Sequence, residues 1–221
     1  MKTTLSLIAL FIFVSFNAQN LVVDNSKSDK AIVKKATDDY KTYYETGLKN
    51  YNIKNFELAL EYFEKSISSR NMHFNSHFYR ALTLFNLNKN EESLKAFQSI
   101  LELDGTFYVS YIYTSKIYIR LQKFDLALND INTYMIQNRH SHEGNYVKAS
   151  VLYELKNYNK AYDEMMIALE SCKNNGEYYL LSGKIRLALK MKNTACVNFK
   201  KAIDLQTIEA IEYQNQNCLS R

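Results

Sequence analysis

Short side chains return along this chain at a fixed interval. Ala59, Ser93, Ala127, Ala161 and Ala195 stand 34 residues apart, and Gly47, Ala81, Ser115, Ala149 and Gly183 form a second ladder with the same step. Four residues after each member of the first ladder comes a large apolar one: Phe63, Phe97, Ile131, Met165 and Phe199. A spacing of four keeps both on one helical face, so each stretch reads as an amphipathic helix. Antiparallel helices close to about 8–10 Å only where the side chains between them are short. The two ladders in phase therefore mark crossings, and a period of this length belongs to stacked helix pairs rather than to one globular core. The pattern predicts helices near 40–53 and 56–69, 74–87 and 90–103, 108–121 and 124–137, 142–155 and 158–171, and 176–189 and 192–205. Ile208 to Asn217 reads as one more helix, apolar through Ile208 and Ile211 and then polar, which suits a lid over residues 192–205.

The segments NFELALEYF, KFDLALNDI, NYNKAYDEM and ESLKAFQSILELDG resemble the second helices of tetratricopeptide-repeat (TPR) proteins, whose unit is a 34-residue helix-turn-helix. The resemblance covers roughly residues 40 to 207. It implies an all-α fold, a right-handed α-α superhelix of about five helix pairs with a C-terminal capping helix. The units would be 40–73, 74–107, 108–141, 142–175 and 176–207, between an N-terminal linker or helix at 19–39 and the cap at 208–221. The chain departs from the family in having no proline at all: Asn71, Gly105, Arg139, Lys173 and Thr207 stand where each unit would end on one. The small residue expected late in the second helix is kept in Ser66, Ala168 and Ala202 but is Ile100 and Tyr134 in the middle units, where looser or tilted packing is expected.

With five glycines and no proline, the turns must rest on asparagine-rich joints such as NIKN, NLNKN, KNYN and KNNG, because asparagine tolerates left-handed backbone angles. Residues 1–18 follow a different pattern. Lys2 precedes an apolar run from Leu5 to Phe16 and then Asn17, Ala18 and Gln19, the layout of a secretory signal peptide cut after Ala18. Its 12-residue core is short for a membrane span, which needs about 17–25 residues, so a permanent anchor is the lesser reading. The leader resembles those of Bacteroidota, which implies export to the periplasm or cell envelope, or secretion.

Loss of Lys2 lowers the formal charge only from +5 to +4. Basic and acidic residues alternate through all units as on a solvated helical surface, and no basic stripe points to nucleic acid. Cys196 and Cys218 are each eleven residues from Thr207, so across an antiparallel turn they would lie at one height and could form a disulfide. Closing such a loop would stabilise the fold by roughly 3 kcal/mol. The alternative is that these two and Cys172 are small buried thiols. His73 and His77 have the i, i+4 spacing of a zinc pair, and His140 and His142 cluster at a turn, but no third ligand accompanies either pair and packing or surface roles are favoured. There is no glycine-rich phosphate loop and no GxSxG turn, hence no expected cofactor and no catalytic constellation.

In the family, first helices line the inner curve and receive a peptide or partner segment. The positions corresponding to that face are Tyr44, Leu48, Tyr51, Phe78, Leu82, Phe85, Lys116, Arg120, Tyr146, Tyr153 and Lys184, an apolar groove in the first two units and a wetter, partly cationic surface later. The resemblance thus implies a non-enzymatic scaffold binding another protein or peptide. Two alternatives stand beside it: the aromatics are filler between helices, or the same face takes a glycan or small ligand. The absence of tryptophan weighs against a sugar platform.

Overall fold

A computed structural model describes residues 39–70 and 73–218. The signal peptide, the 19–38 part of the linker and the last three residues lie outside them. Among the described residues the fold is all-α: α1 (39–52), α2 (Phe56–Ser69), α3 (Phe74–Asn86), α4 (Asn90–Leu103), α5 (Val109–Arg120), α6 (Phe124–Gln137), α7 (His142–Glu154), α8 (Tyr158–Ser171), α9 (Gly176–Ala188), α10 (Lys192–Asp204) and α11 (Glu209–Asn217). These are five helix pairs and a C-terminal capping helix. None of them is long and apolar enough to cross a membrane.

Every member of both short-residue ladders is buried. The steric reason is visible at the glycines: a Cβ on Gly47 would stand 2.7 Å from Phe63 Cε1, and one on Gly183 would meet Phe199 Cε1 even more closely. In these pairs the first helix is hollowed where the large residue of the second helix arrives. At Ser115 the two rungs bond directly, its Oγ donating to the Ala127 carbonyl at 2.8 Å.

The turns inside the pairs share one backbone solution. Lys54, Asn88, Gln122, Lys156 and Lys190 all have positive φ, between 56° and 62°. The next N–H in each case reaches back five residues, as in Asn55 to Asn50 (2.9 Å) and Asn157 to Leu152 (2.8 Å). This is the Schellman closure, which satisfies carbonyls that a helix end leaves open. The expectation that asparagine supplies the left-handed residue is corrected: it does so only at Asn88, and exposed lysine or glutamine stands there otherwise. The repeated backbone hydrogen bonds hold the angle, so the side chain is free to be polar.

Two compact units are separated between Thr83 and Leu84, within α3. In the first, Phe63 of α2 is fully buried between Tyr44 of α1 (6.1 Å) and Tyr79 of α3 (5.7 Å). Beside it, Ser66 Oγ donates to the Tyr40 carbonyl at 2.8 Å or bonds Ser76 Oγ at 2.7 Å, and His73 Nδ1 lies 2.6 Å from Ser76 Oγ. His73 also packs on the rings of Tyr40 and Tyr44, each 4.8 Å away. Burial, with Arg70 and His77 nearby, holds its imidazole below the ordinary histidine range.

In the second unit each helix packs on the next from α4 to α11, and α7 also touches α5 and α9. Ile100 and Tyr134 are buried, so the expected loosening at these positions is corrected. Tyr134 is accommodated by Gly144 of α7, where a Cβ would lie 2.9 Å from its Cε1. One unit later the sizes reverse, with Ala168 and Tyr178 in the same core cluster. Volume is exchanged between neighbouring helices instead of being lost, which keeps the packing dense.

The capping helix also differs from expectation. Ile208 is 79% exposed and Ile211 44%, so the proposed apolar contacts are corrected. Instead α11 docks through fully buried Ala210 and through Tyr213, stacked 5.4 Å from Phe199. Cys218, at its end, is joined to Cys196 of α10 in a disulfide with Cα atoms 5.6 Å apart, and Cys172 is free.

Candidate functional site

The first helices carry every residue nominated from sequence, but the structure assigns them different roles. In the first unit Leu82 is only 6% exposed and belongs to the packing, which corrects its place in a binding groove. Tyr44 and Tyr51 are half-buried against other rings: Tyr44 against Phe63, His73 and Tyr79, and Tyr51 against Phe56 and Tyr79. Leu48 and Phe78 are partly covered too, and Phe78 meets Tyr79 at 5.7 Å. The aromatic surplus of this unit serves largely as filler between helices.

In the second unit Phe85 is tied to Arg120, whose guanidinium sits 3.8 Å above its ring while Nη1 donates to its carbonyl at 2.9 Å. Lys116 pairs with Glu143 of α7 and lies over Tyr113. Lys184 pairs with Glu209 of α11 at 2.7 Å and lies over Tyr213. The expectation of a partly cationic surface is therefore corrected, because an acid from the following first helix offsets each of these lysines. Tyr153 is half-buried beside Tyr158, and burial raises its phenol above the ordinary tyrosine range.

Tyr146 has a different setting. It stacks on Tyr178 of α9 with centroids 4.4 Å apart and planes 10° from parallel. The pair forms a wall of a hollow of about 260 Å³ that spans α5, α7 and α9, with Lys116 and Glu143 on one side and Glu177 on the other. His142 Nδ1 lies 3.0 Å from the Tyr178 hydroxyl, which fixes the inner ring. Burial is the main cause of the raised phenol pKa at both tyrosines, with nearby carboxylates adding to it. Both phenols thus stay neutral at ordinary pH. Helix starts place the acids: Ser141 Oγ accepts from the Gly144 N–H at 3.0 Å and Asn175 Oδ1 from the Glu177 N–H at 3.0 Å, capping α7 and α9.

Of this constellation, sequence reasoning named Lys116 and Tyr146, set His142 aside as a turn residue, and missed Glu143, Glu177 and Tyr178. Two signals were available. Glu143 and Glu177 are one period apart, and Tyr178 interrupts a run of small residues at the same register, Ser76, Ser110 and Gly144.

No family model matches the chain, and no curated protein matches it. Solved structures do. TTC0263, described as a thermophilic TPR protein in Thermus thermophilus, aligns with a TM-score of 0.68 at 15% identity, over 82% of this chain and 100% of that one. The fold is that of a TPR protein. MamA from Desulfovibrio magneticus RS-1 aligns to this TPR fold with a TM-score of 0.66 at 16% identity, over 76% and 96% of the two chains. YrrB, described as a TPR protein with an unusual peptide-binding site, aligns at 0.60 and 15% identity, over 85% and 97%. Within this TPR fold, α5, α7 and α9 are successive first helices.

Proposed function

We propose that this protein is a non-enzymatic scaffold that holds an extended segment of a partner protein against the face formed by α5, α7 and α9, the face expected to be concave. The observation that carries this reading is the hollow itself, where three successive first helices contribute charged and aromatic side chains to one opening. Such a layout can read consecutive side chains of an extended ligand, because each first helix presents a new set one repeat further on. The description of YrrB as peptide-binding agrees with it. A glycan receives less support. Tyr178 is only 3% exposed beneath Tyr146, so the pair does not present two open rings side by side, and the chain carries no tryptophan.

The reading places the protein in the periplasm or cell envelope, exported by its leader. The Cys196–Cys218 disulfide suits such an oxidising compartment. Two experiments test these points. An unbiased peptide display library panned against the mature chain should yield binders whose amide shift changes map to α5, α7 and α9. Binders that map elsewhere, or none, would refute the site. A fusion of residues 1–30 to alkaline phosphatase should be active in the periplasm, and activity confined to lysed cells would refute export.

A further inference from the structure

The hollow has an unequal charge balance. Glu143 is engaged by Lys116, whose ammonium is held there and over the Tyr113 ring. Glu177, at the first turn of α9, is exposed and has no basic partner within ion-pair distance among the described residues. Lys184, the next basic group along this face, is committed to Glu209 and Tyr213. Two carboxylates, one ammonium and the His142 imidazole, which is held at the Tyr178 hydroxyl, thus border a space walled by a tyrosine pair. An anion entering it would meet Glu177 and find Lys116 already neutralised. A cation would find a free carboxylate beside an aromatic ring.

We infer that the hollow receives a single lysine or arginine side chain from a basic extended segment of the partner, its stem along Tyr146 and its charged head on Glu177. This deepens the scaffold reading and rests on it. Its volume of about 260 Å³ exceeds that of one long basic side chain and leaves room for the ligand backbone at the rim. Charge complementarity of this kind sets which partners are accepted and how quickly they arrive, while a cation near a tyrosine face gains a further attraction as it is desolvated. Long basic side chains also cover apolar surface with their stems while the head stays polar, which matches a ring wall with a carboxylate at its edge.

The test uses the mature chain and the display library described above, with the selected peptides resynthesised with arginine or lysine and with citrulline or acetyl-lysine in their place. Enrichment of basic residues, a loss of affinity of tenfold or more with the neutral analogues, and a similar loss in Glu177→Gln would support the proposal. Glu177→Gln replaces an exposed carboxylate and keeps the Glu177 backbone N–H that Asn175 caps, so folding is preserved and unchanged circular dichroism checks it. Peptides that map to α5, α7 and α9 but bind equally well with neutral analogues, or that are acidic, overturn the cation pocket and leave the scaffold reading intact. No binding at this face overturns both.

Discussion

Gly183→Ala isolates the steric idea on which the whole stack depends. Alanine is the better helix former, and in a solvated helix interior the change would stabilise by about 1 kcal/mol. Here the added methyl carbon would lie 2.6 Å from Phe199 Cδ1 and closer still to Cε1. Carbon atoms rest about 3.5–4.0 Å apart, so the ring would have to withdraw by roughly 1 Å. It has nowhere to go: Phe199 is fully buried in one cluster with Leu180, Ala195, Ala202 and Ala210, and Tyr213 is stacked on its other side. Overpacking of this kind costs about 1–3 kcal/mol, and the clash should outweigh the propensity gain, for a net loss of up to about 2 kcal/mol.

Gly105→Ala is the control. Its Cβ would meet nothing nearer than the Leu101 carbonyl at 3.7 Å, and its φ is not positive, so it should be neutral or stabilise by up to about 1 kcal/mol. Urea unfolding followed by circular dichroism at 222 nm reads both changes as midpoint shifts. Adding Phe199→Leu to Gly183→Ala should return part of the loss, with a coupling of about 1 kcal/mol or more because the two side chains compete for one space. If Gly183→Ala matches Gly105→Ala in stability, the small-residue ladder is not a steric device and the explanation of the period fails.

Reduction of the Cys196–Cys218 bond opens a loop whose ends are 22 residues apart. It should destabilise the C-terminal helices by roughly 3 kcal/mol, an effect of dithiothreitol that the Cys196→Ser/Cys218→Ser double variant should no longer show in the same melts. Truncation after Thr207 should lower the melting temperature and solubility by uncovering Phe199, whereas Ile208→Ser with Ile211→Ser should leave both unchanged, since those two side chains already face solvent. One pH response follows from His73, whose pKa is lowered in the fold. Its contribution is fully present above the ordinary histidine pKa of about 6.5 and is lost as pH falls below that, when the unfolded chain takes up the proton first. Melts from pH 8 to pH 5 should therefore show a decline that His73→Gln flattens, and an identical profile in that variant would discount the histidine.

The parts legible in the sequence are those that depend on one local rule. Small residues at a fixed step can only be explained by close approach, and their burial at every rung follows from the same requirement. Pair interactions were less accessible because they depend on how neighbouring helices are rotated. Lys116 reads as a free cation along its own helix, and only the placement of α7 brings Glu143 to it. The exchange of volume between Tyr134 and Gly144 is likewise invisible from either helix alone. The left-handed turn residues were misjudged for a different reason: propensity ranks single residues, but here two backbone hydrogen bonds hold the angle and override the ranking.

The capping helix shows how far the repeat logic continues past the last full unit. In the earlier units a phenylalanine of the second helix stacks on a tyrosine of the following first helix, Phe63 on Tyr79 and Phe97 on Tyr113, and Phe199 stacks on Tyr213 in the same way but two residues sooner. The ion pairs shift equally: Lys116 and Glu143 are separated by 27 residues, Lys184 and Glu209 by 25. Two independent contacts displaced by the same amount mean that α11 occupies the place of a sixth first helix, reached through a tighter turn. Among the described residues, that turn is the one second-helix exit with a positive-φ residue, Gln206, closed by a bond from the Thr207 N–H to the Ala202 carbonyl at 2.9 Å. The tight turn also explains Gly176, where a Cβ would collide with the Thr207 side chain. Past Tyr213 the helix is polar from Gln214 to Asn217, as suits a capping helix whose outer face meets water. Restoring the ordinary turn length by inserting two residues after Gln206 should therefore leave α11 in its place, with Tyr213 still on Phe199 and Cys218 still beside Cys196. Free-thiol titration of that variant should count one reactive cysteine, Cys172, and three would show that the short turn rather than the repeat contacts places α11.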